Sequence, residues 1–299
     1  MIGMPRSGSS VMAEAFSLQE ELGWISNYVH RLPEMPWLSA LNRLSLDPRW
    51  GWALRGKKKQ DSRFVTLLRY FLPYAGDNYR FWRRLCGERM LWQYMEGETA
   101  EASVRRTLPP YMERLLKYQR RRRLFAKLNG PPRMTYFASI FPGASFVHVL
   151  RDRSAVVASP MRFTVWRKGG GLNKPWWRPL PQADVDVWTS HGGTPAALAA
   201  IQWRRVVEQT WREHHVLPET PFAQVRYEDF VSRPHETVSR LFAELGLSDS
   251  PCVHRYLDRV SAPRSMNYKF RSQLSPAEIE SIERITGVTA STAGYTFDD

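Results

Sequence analysis

The sequence predicts an α/β fold in which a central parallel β-sheet is flanked by helices, and three observations support this prediction. Residues 3–10 combine two glycines five positions apart with hydroxyl side chains and a following apolar helical pattern, as in a turn from strand to helix. Residues 145–150 are a short β-rich run, as expected for a parallel strand that helices cover on both faces. Residues 222–226 indicate another short strand.

The segment from Gly3 to Ser10 has the spacing of a phosphate loop, so the predicted sheet is of the P-loop type. The backbone N–H groups of such a loop converge on an anion at the N-terminus of a helix. Enzymes that use nucleoside triphosphates place Lys directly after the second glycine, whereas Ser9 stands there in this chain. Arg6 is the cation of the loop and offers a planar guanidinium to a tetrahedral anion. The missing lysine argues against phosphoryl transfer.

The apolar periodicity predicts a first helix over residues 11–22 and a large helical insertion after it, at about residues 30–120. The insertion is rich in Trp, Tyr and Arg, and we expect it to form a lid over an acceptor. Each of its aromatic side chains alone is more simply explained by packing in a core.

Residues typical of helix starts and ends also occur in the second half of the chain. Helices are expected over 133–141, over 195–215 and from Pro234 to Gly246, because proline is tolerated in a first turn and glycine terminates helices. Residues 275–278 form a capping box that begins a last helix, which Gly287 is expected to end. His148, within the predicted strand at 145–150, is expected to be a packed residue.

Length and composition bound the remaining possibilities. The 299 residues are expected to form a single domain over 1–299, with a truncated first strand because Met1 and Ile2 alone precede Gly3. The formal net charge of +14 favours anionic partners. Two cysteines fit a reducing compartment, and no apolar run approaches the about 18 residues of a membrane span. We therefore expect a cytoplasmic protein.

The loop resembles that of sulfotransferases that use 3'-phosphoadenosine 5'-phosphosulfate (PAPS), in particular bacterial members related to carbohydrate and tyrosine sulfotransferases. In that family the loop grips the 5'-phosphosulfate of PAPS, and Arg6 would also act in catalysis. The resemblance implies that the donor is bound by Arg6, Ser7, Gly8, Ser9 and Ser10.

Two further stretches extend the resemblance. Residues 146–159 are similar to the family's second signature, in which an Arg and a Ser eight residues later hold the 3'-phosphate, here Arg151 and Ser159. Residues 225–234 are similar to a strand and helix near the family's C-terminus. That strand would let Tyr227 contact the nucleotide, although simple packing in the sheet explains Tyr227 equally well.

The resemblance leaves the catalytic groups partly open. Lys127 resembles a family lysine that meets the bridging oxygen of the donor, but it is equally well explained as a solvated surface residue. An ungapped count places the catalytic glutamate of tyrosine sulfotransferases near Ser26 and Asn27, which are not strong bases. We nominate His30 as the base, since its ordinary pKa suits proton transfer near neutrality. Other candidates are Glu14, Glu20, Glu21 and Glu34, and a substrate-assisted or N-sulfating reaction is also open.

The expected function is therefore the transfer of a sulfuryl group from PAPS to an acceptor hydroxyl without a metal. Carbohydrate, peptide tyrosine and small-molecule acceptors remain open, the acceptor being anionic or hydroxylated, and a membrane surface is a further candidate partner. Two alternatives are a phosphate-loop kinase and a non-catalytic protein that binds anions or nucleic acid through residues 120–123, although nucleic acid is not the expected partner.

Overall fold

The computed structural model of the chain describes residues 1–49, 51, 71–158, 173–260 and 267–295. Its central sheet is parallel, with the strand order β4-β1-β5-β6. The strands are β1 (Ile2–Gly3), β4 (Leu128–Asn129), β5 (Phe146–Leu150) and β6 (Phe222–Arg226). Ile2 of β1 pairs with both neighbouring strands, and β5 pairs with β6 along its whole length. The carboxyl ends of all four strands therefore meet at one edge of the sheet.

Helices surround this sheet. In the described parts of the chain they are α1 (Ser9–Phe16), α2 (Asn27–Arg31), α3 (Asn42–Ser45), α4 (Tyr79–Cys86), α5 (Arg89–Trp92), α6 (Ala102–Gln119), α7 (Met134–Ile140), α8 (Arg153–Ala158), α9 (Gln182–Ser190), α10 (Pro195–His215), α11 (Tyr227–Ser232), α12 (Pro234–Glu244), α13 (Pro251–Arg259) and α14 (Pro276–Thr292). Two short 3-10 helices add Pro36–Leu41 and Asn267–Ser272. The predicted α/β class and its flanking helices are confirmed.

Strand β5 shows how the two layers of helices are held on the sheet. Successive side chains of a strand point to opposite faces. Val147 and Val149 are buried in a cluster with Met12, Phe16 and other side chains of α1, α12 and α13. On the opposite face, Leu150 is buried with side chains of α10. Apolar residues on both faces of one strand explain why this segment has no polar alternation.

A second, two-stranded parallel sheet lies outside the central one and was not predicted. It consists of β2 (Leu22–Trp24) and β3 (Arg123–Phe125). The predicted first helix over residues 11–22 is therefore wrong in its second half. Helix α1 ends at Phe16, because the side chain of Gln19 accepts from the backbone N–H of Glu21 and a turn leads directly into β2.

The insertion between β2 and β3 is helical in its described part, as expected. It contains α2 to α6, and apolar side chains of α2, α4, α5 and α6 pack with the central sheet around Trp82 and Phe137. Residues 50 and 52–70 of the insertion lie outside the described residues.

The capping box at the start of α14 is confirmed, since Ser275 and Glu278 bond reciprocally. The expectation that Gly287 ends this helix is wrong. A glycine inside a helix costs only about 1 kcal/mol, and buried neighbours on α14 continue the packing beyond it. The turn that follows the helix instead contains Gly294, with a φ of 81°.

His148 is buried in β5, as the sequence predicted. Burial lowers its pKa from 6.5 to about 4, and the side chain of Gln224, 3.4 Å from Nδ1, opposes this shift weakly. Between about pH 4 and pH 6.5 the folded protein therefore holds a mainly neutral imidazole where the unfolded chain would hold a mainly charged one. Because the folded-state pKa is depressed, this contribution to stability is present above pH 6.5 and is lost as the pH falls toward 4.

Replacing His148 with Leu should therefore flatten the loss of thermal stability between pH 6.5 and pH 4. The measurement is the melting temperature of both proteins across that range. His215→Leu, at an exposed histidine, is the matched control and should keep the wild-type slope. Equal slopes for wild type and His148→Leu would show that His148 does not govern the acid sensitivity.

Candidate active site

The loop between β1 and α1 lies at the carboxyl edge of the central sheet, where open α/β sheets bind ligands. Its backbone takes left-handed conformations, with φ of 73° at Arg6 and 84° at Gly8. A positive φ is rare for a residue other than glycine, and such strain concentrates at ligand sites. The Ser7 hydroxyl is buried, with 1% exposure, and has no hydrogen-bond partner among the described residues. The loop therefore has an unused donor beside the N-terminus of α1.

Gly8 is required by its contact with Tyr227, the first residue after β6. A Cβ atom at position 8 would lie 2.0 Å from Cδ2 of the Tyr227 ring, far inside van der Waals contact. Tyr227 is itself buried. The ring therefore packs against the loop at Gly8. Contact between the Tyr227 hydroxyl and a nucleotide stays a prediction.

Arg151 extends from the end of β5 to the same loop. Its Nη1 donates to the backbone oxygen of Arg6 at 3.0 Å, and its Cζ lies 4.5 Å from the centre of the Tyr227 ring. The structure thus brings together two predicted site residues that are far apart in the sequence. Partial burial and, second, repulsion from Arg151 lower the pKa of Arg6. Two neighbouring guanidinium groups repel each other, so they favour the binding of an anion between them.

A polar network behind Arg151 fixes its position. The Nε of Arg151 donates to the side chain of Asn267 at 3.1 Å, and Asn267 donates to Glu228 at 2.6 Å. Glu228 also accepts from the backbone N–H of Asp152 and from the hydroxyl of Tyr295. The sequence did not single out Asn267 or Glu228, although Glu228 follows the predicted Tyr227.

Lys127 is 8% exposed, so its explanation as a solvated surface residue is wrong. Its Nζ donates to the hydroxyl of Ser10 at 3.0 Å and lies 2.9 Å from Oδ1 of Asp77. The neighbouring Ser9 hydroxyl donates to the side chain of Asn129 at 2.9 Å. Lys127 and Asn129, from the β4 strand and the residues just before it, thus contact the first turn of α1. Asp77 and Asn129 join this group of contacts, and neither was predicted from the sequence.

Ser159 lies outside the described residues, whereas His30 is described and is not joined to this group. His30 lines a separate cavity of about 420 Å³ with Pro33, Glu88 and several arginines, and none of the loop residues lines it. Burial and, second, the charge of Arg80 lower the pKa of His30, which keeps its imidazole neutral near pH 7. Its catalytic role stays a prediction.

A model of the sulfotransferase family matches residues 1–251. The chain belongs to the sulfotransferase family. Two mycobacterial relatives, from Mycobacterium bovis and Mycobacterium tuberculosis, are omega-hydroxy-beta-dihydromenaquinone-9 sulfotransferases named Stf3. Each is 26% identical to this sulfotransferase-family chain over 176 residues, which cover 56% of the chain and 41% of the relative. The match thus spans about two fifths of the relatives' length, and it confirms the family resemblance of the sequence motifs.

Solved structures show the same fold. The sulfotransferase STF9 from Mycobacterium avium superposes with a TM-score of 0.58 at 15% identity, covering 98% of this chain and 76% of that protein. The sulfotransferase domain from the curacin biosynthetic pathway superposes with a TM-score of 0.55 at 14% identity, covering 99% and 96%. These likenesses confirm the predicted fold of this member of the sulfotransferase family.

No cluster of three or more His, Cys, Asp or Glu side chains in the described part of the chain has the geometry to hold a metal ion. No helix there is both long and apolar enough to span a bilayer.

The contact between Gly8 and Tyr227 makes a direct prediction. Gly8→Ala should lower the free energy of unfolding by about 1–3 kcal/mol or more. A left-handed backbone at a residue with a Cβ costs about that much, and the new methyl group also collides with the Tyr227 ring. Gly287→Ala is the matched control: its added Cβ meets no atom within 4 Å inside α14, so it should stabilise by about 0.5–1 kcal/mol. Urea unfolding of the three proteins measures both effects. A Gly8→Ala protein as stable as wild type would contradict the described loop.

Proposed function

We propose that this protein is a sulfotransferase that moves a sulfuryl group from PAPS to the hydroxyl of an acceptor. The observation that carries the proposal is the adjacency of Arg6 and Arg151, with Arg151 Nη1 3.0 Å from the backbone oxygen of Arg6. PAPS carries anionic groups at both its 5' and its 3' positions. One cation from the loop and one from the end of β5 match these two groups.

The residues present fit this donor. The N–H groups at the start of α1 suit the 5'-phosphosulfate, as does the Ser7 hydroxyl, which has no partner in the described part of the chain, and Gly8 allows a close approach of the backbone. Arg151 is held by Asn267 with its guanidinium beside the loop, and it would bind the 3'-phosphate. Ser159, the second residue expected at the 3'-phosphate, follows α8 outside the described residues.

The chemistry follows from the position of the charges. The acceptor oxygen attacks the sulfur in line while the phosphate departs, so oxygens on both sides of the sulfur gain negative charge. As in phosphoryl transfer, the protein contributes mainly positioning and electrostatic stabilisation. Arg6 and the loop N–H groups would stabilise the sulfuryl and phosphate oxygens. Lys127, held at Ser10, would neutralise the bridging oxygen as the bond to sulfur breaks.

The insertion would form the acceptor side of the site. Asp77 and Tyr79 extend from it to β4, where the Tyr79 hydroxyl donates to the backbone oxygen of Asn129 at 3.2 Å. Apolar side chains of the insertion are exposed nearby in the sequence, including Phe71 and Tyr74. The Stf3 relatives are named for a hydroxylated menaquinone, so an apolar alcohol belongs on an acceptor panel with sugars, tyrosine peptides and small polar alcohols.

Measurements of donor binding and of turnover distinguish the roles of Arg6 and Arg151. Arg151→Ala should weaken binding of adenosine 3',5'-bisphosphate about 10–100-fold, the loss of about 1.5–3 kcal/mol expected for a charge-assisted hydrogen bond. Arg6→Ala should lower the transfer of radiolabelled sulfate at least about 100-fold, as when one electrostatic donor is removed from a transition state. Calorimetry and a transfer assay with PAPS measure the two effects.

Arg122→Ala is the matched control, because Arg122 is an exposed member of the basic run at 120–123. If the site recognises one nucleotide, Arg122→Ala should change neither the binding of adenosine 3',5'-bisphosphate nor the transfer of sulfate. Binding that depends on Arg122 as strongly as on Arg151, and falls steeply with salt, would favour the non-catalytic anion-binding alternative. Transfer of phosphate from ATP with Mg²⁺, in place of sulfate from PAPS, would favour the kinase alternative.

A further inference from the structure

A carboxylate of the insertion lies beside the phosphate loop in a position that the sequence did not reveal. Asp77 Oδ1 is 2.9 Å from Nζ of Lys127 and 2.9 Å from Nδ2 of Asn129. Lys127 in turn donates to Ser10, and Asn129 accepts from Ser9. One side chain therefore separates Asp77 from each of the two serines that begin α1, where the loop would hold the sulfuryl group.

The two oxygens of Asp77 are in different situations. Lys127 and Asn129 both bind the same atom, Oδ1. Among the described residues, no donor binds Oδ2. The Asp77 side chain is 30% exposed, whereas Lys127 is 8% exposed. One oxygen is thus anchored by the loop network while the carboxylate remains accessible to an incoming hydroxyl.

The neighbouring groups suit a base rather than a purely structural ion pair. Lys127 and Asn129 keep Oδ1 in place, and the positive charge of Lys127 offsets the repulsion between the carboxylate and an anionic donor. The other nominated base, His30, lies in the arginine-lined cavity, which no loop residue lines. Geometry is the first criterion for a general base, and here it favours Asp77.

We propose that Asp77 is the general base of the transfer reaction, a role that rests on the proposed sulfotransferase function. Oδ2 takes the proton of the acceptor hydroxyl as the acceptor oxygen forms its bond to sulfur. The bond between sulfur and the bridging phosphate oxygen breaks, and its electron pair stays on adenosine 3',5'-bisphosphate. The products are the sulfated acceptor, the bisphosphate and a protonated Asp77, which returns its proton to water.

Asp77→Asn is the first test, because the amide oxygen can still accept from Lys127 and Asn129 while the base is removed. We expect the turnover number for sulfate transfer from PAPS to fall about 10²–10⁴-fold, the usual contribution of general base catalysis. Binding of adenosine 3',5'-bisphosphate, measured by calorimetry, should stay within about twofold of wild type. The acid limb of the wild-type pH–rate profile should also disappear.

Two controls frame this result. Asp47→Asn removes another carboxylate of the insertion, one that pairs with Arg49 at 3.0 Å, and should leave turnover and binding unchanged. His30→Gln should keep the acid limb of the profile. An Asp77→Asn protein that retains wild-type turnover, or a His30→Gln protein that alone loses the acid limb, would overturn the assignment.

Chemical rescue provides a second route that does not depend on the asparagine variant folding well. In Asp77→Ala, added formate should restore part of the turnover, since a small carboxylate can occupy the vacated space. Absence of rescue in a folded Asp77→Ala protein, or an equal loss of bisphosphate binding and turnover, would assign Asp77 to holding Lys127 instead. Failure of wild type itself to bind the bisphosphate or to transfer sulfate would refute the proposed function and is thus distinguishable from failure of the base.

Discussion

The site depends on the packing of one aromatic ring, that of Tyr227, between the backbone of the phosphate loop at Gly8 and the guanidinium of Arg151. Tyr227, at the end of β6, fills the space where a side chain at position 8 would be, and the guanidinium of Arg151 lies 4.5 Å from the centre of the ring. This stack joins the phosphate loop after β1 to the ends of β5 and β6. Because the strands are parallel and adjacent, their carboxyl ends bring the three segments to one edge.

The two cations held at this edge would repel one another in the absence of an anion. The fold holds Arg151 in place through neutral and acidic partners: Asn267 accepts from Arg151, and Glu228 accepts from Asn267, from Tyr295 and from the backbone of Asp152. At the start of α1, Asp77 pairs with Lys127, and Asn129 accepts from the hydroxyl of Ser9. Positive charge is therefore concentrated at the loop, and acidic and amide side chains hold Arg151 and Lys127 in position. Such preorganisation is what transfer between oxygens requires of a protein.

Much of this arrangement could be predicted from local sequence. The glycine spacing of the loop, the β-rich run before Arg151 and the strand before Tyr227 are short motifs, and each has a conformation that its own residues determine. Asp77 and Asn267 had no such signal. Asp77 meets a partner 52 positions away and Asn267 one 116 positions away, so only the tertiary structure reveals them. Strands β2 and β3 were missed for a similar reason, since three residues are too few to show a period.

The central claim is that Arg6 and Arg151 hold opposite ends of one nucleotide. A crystal structure of the protein with adenosine 3',5'-bisphosphate tests it most directly. We expect the 5'-phosphate to lie on the N–H groups of the loop between Gly3 and Ser10, and the 3'-phosphate to lie within hydrogen-bond distance of the Arg151 guanidinium. A bisphosphate bound away from the loop, or one whose 3'-phosphate does not contact Arg151, would contradict it.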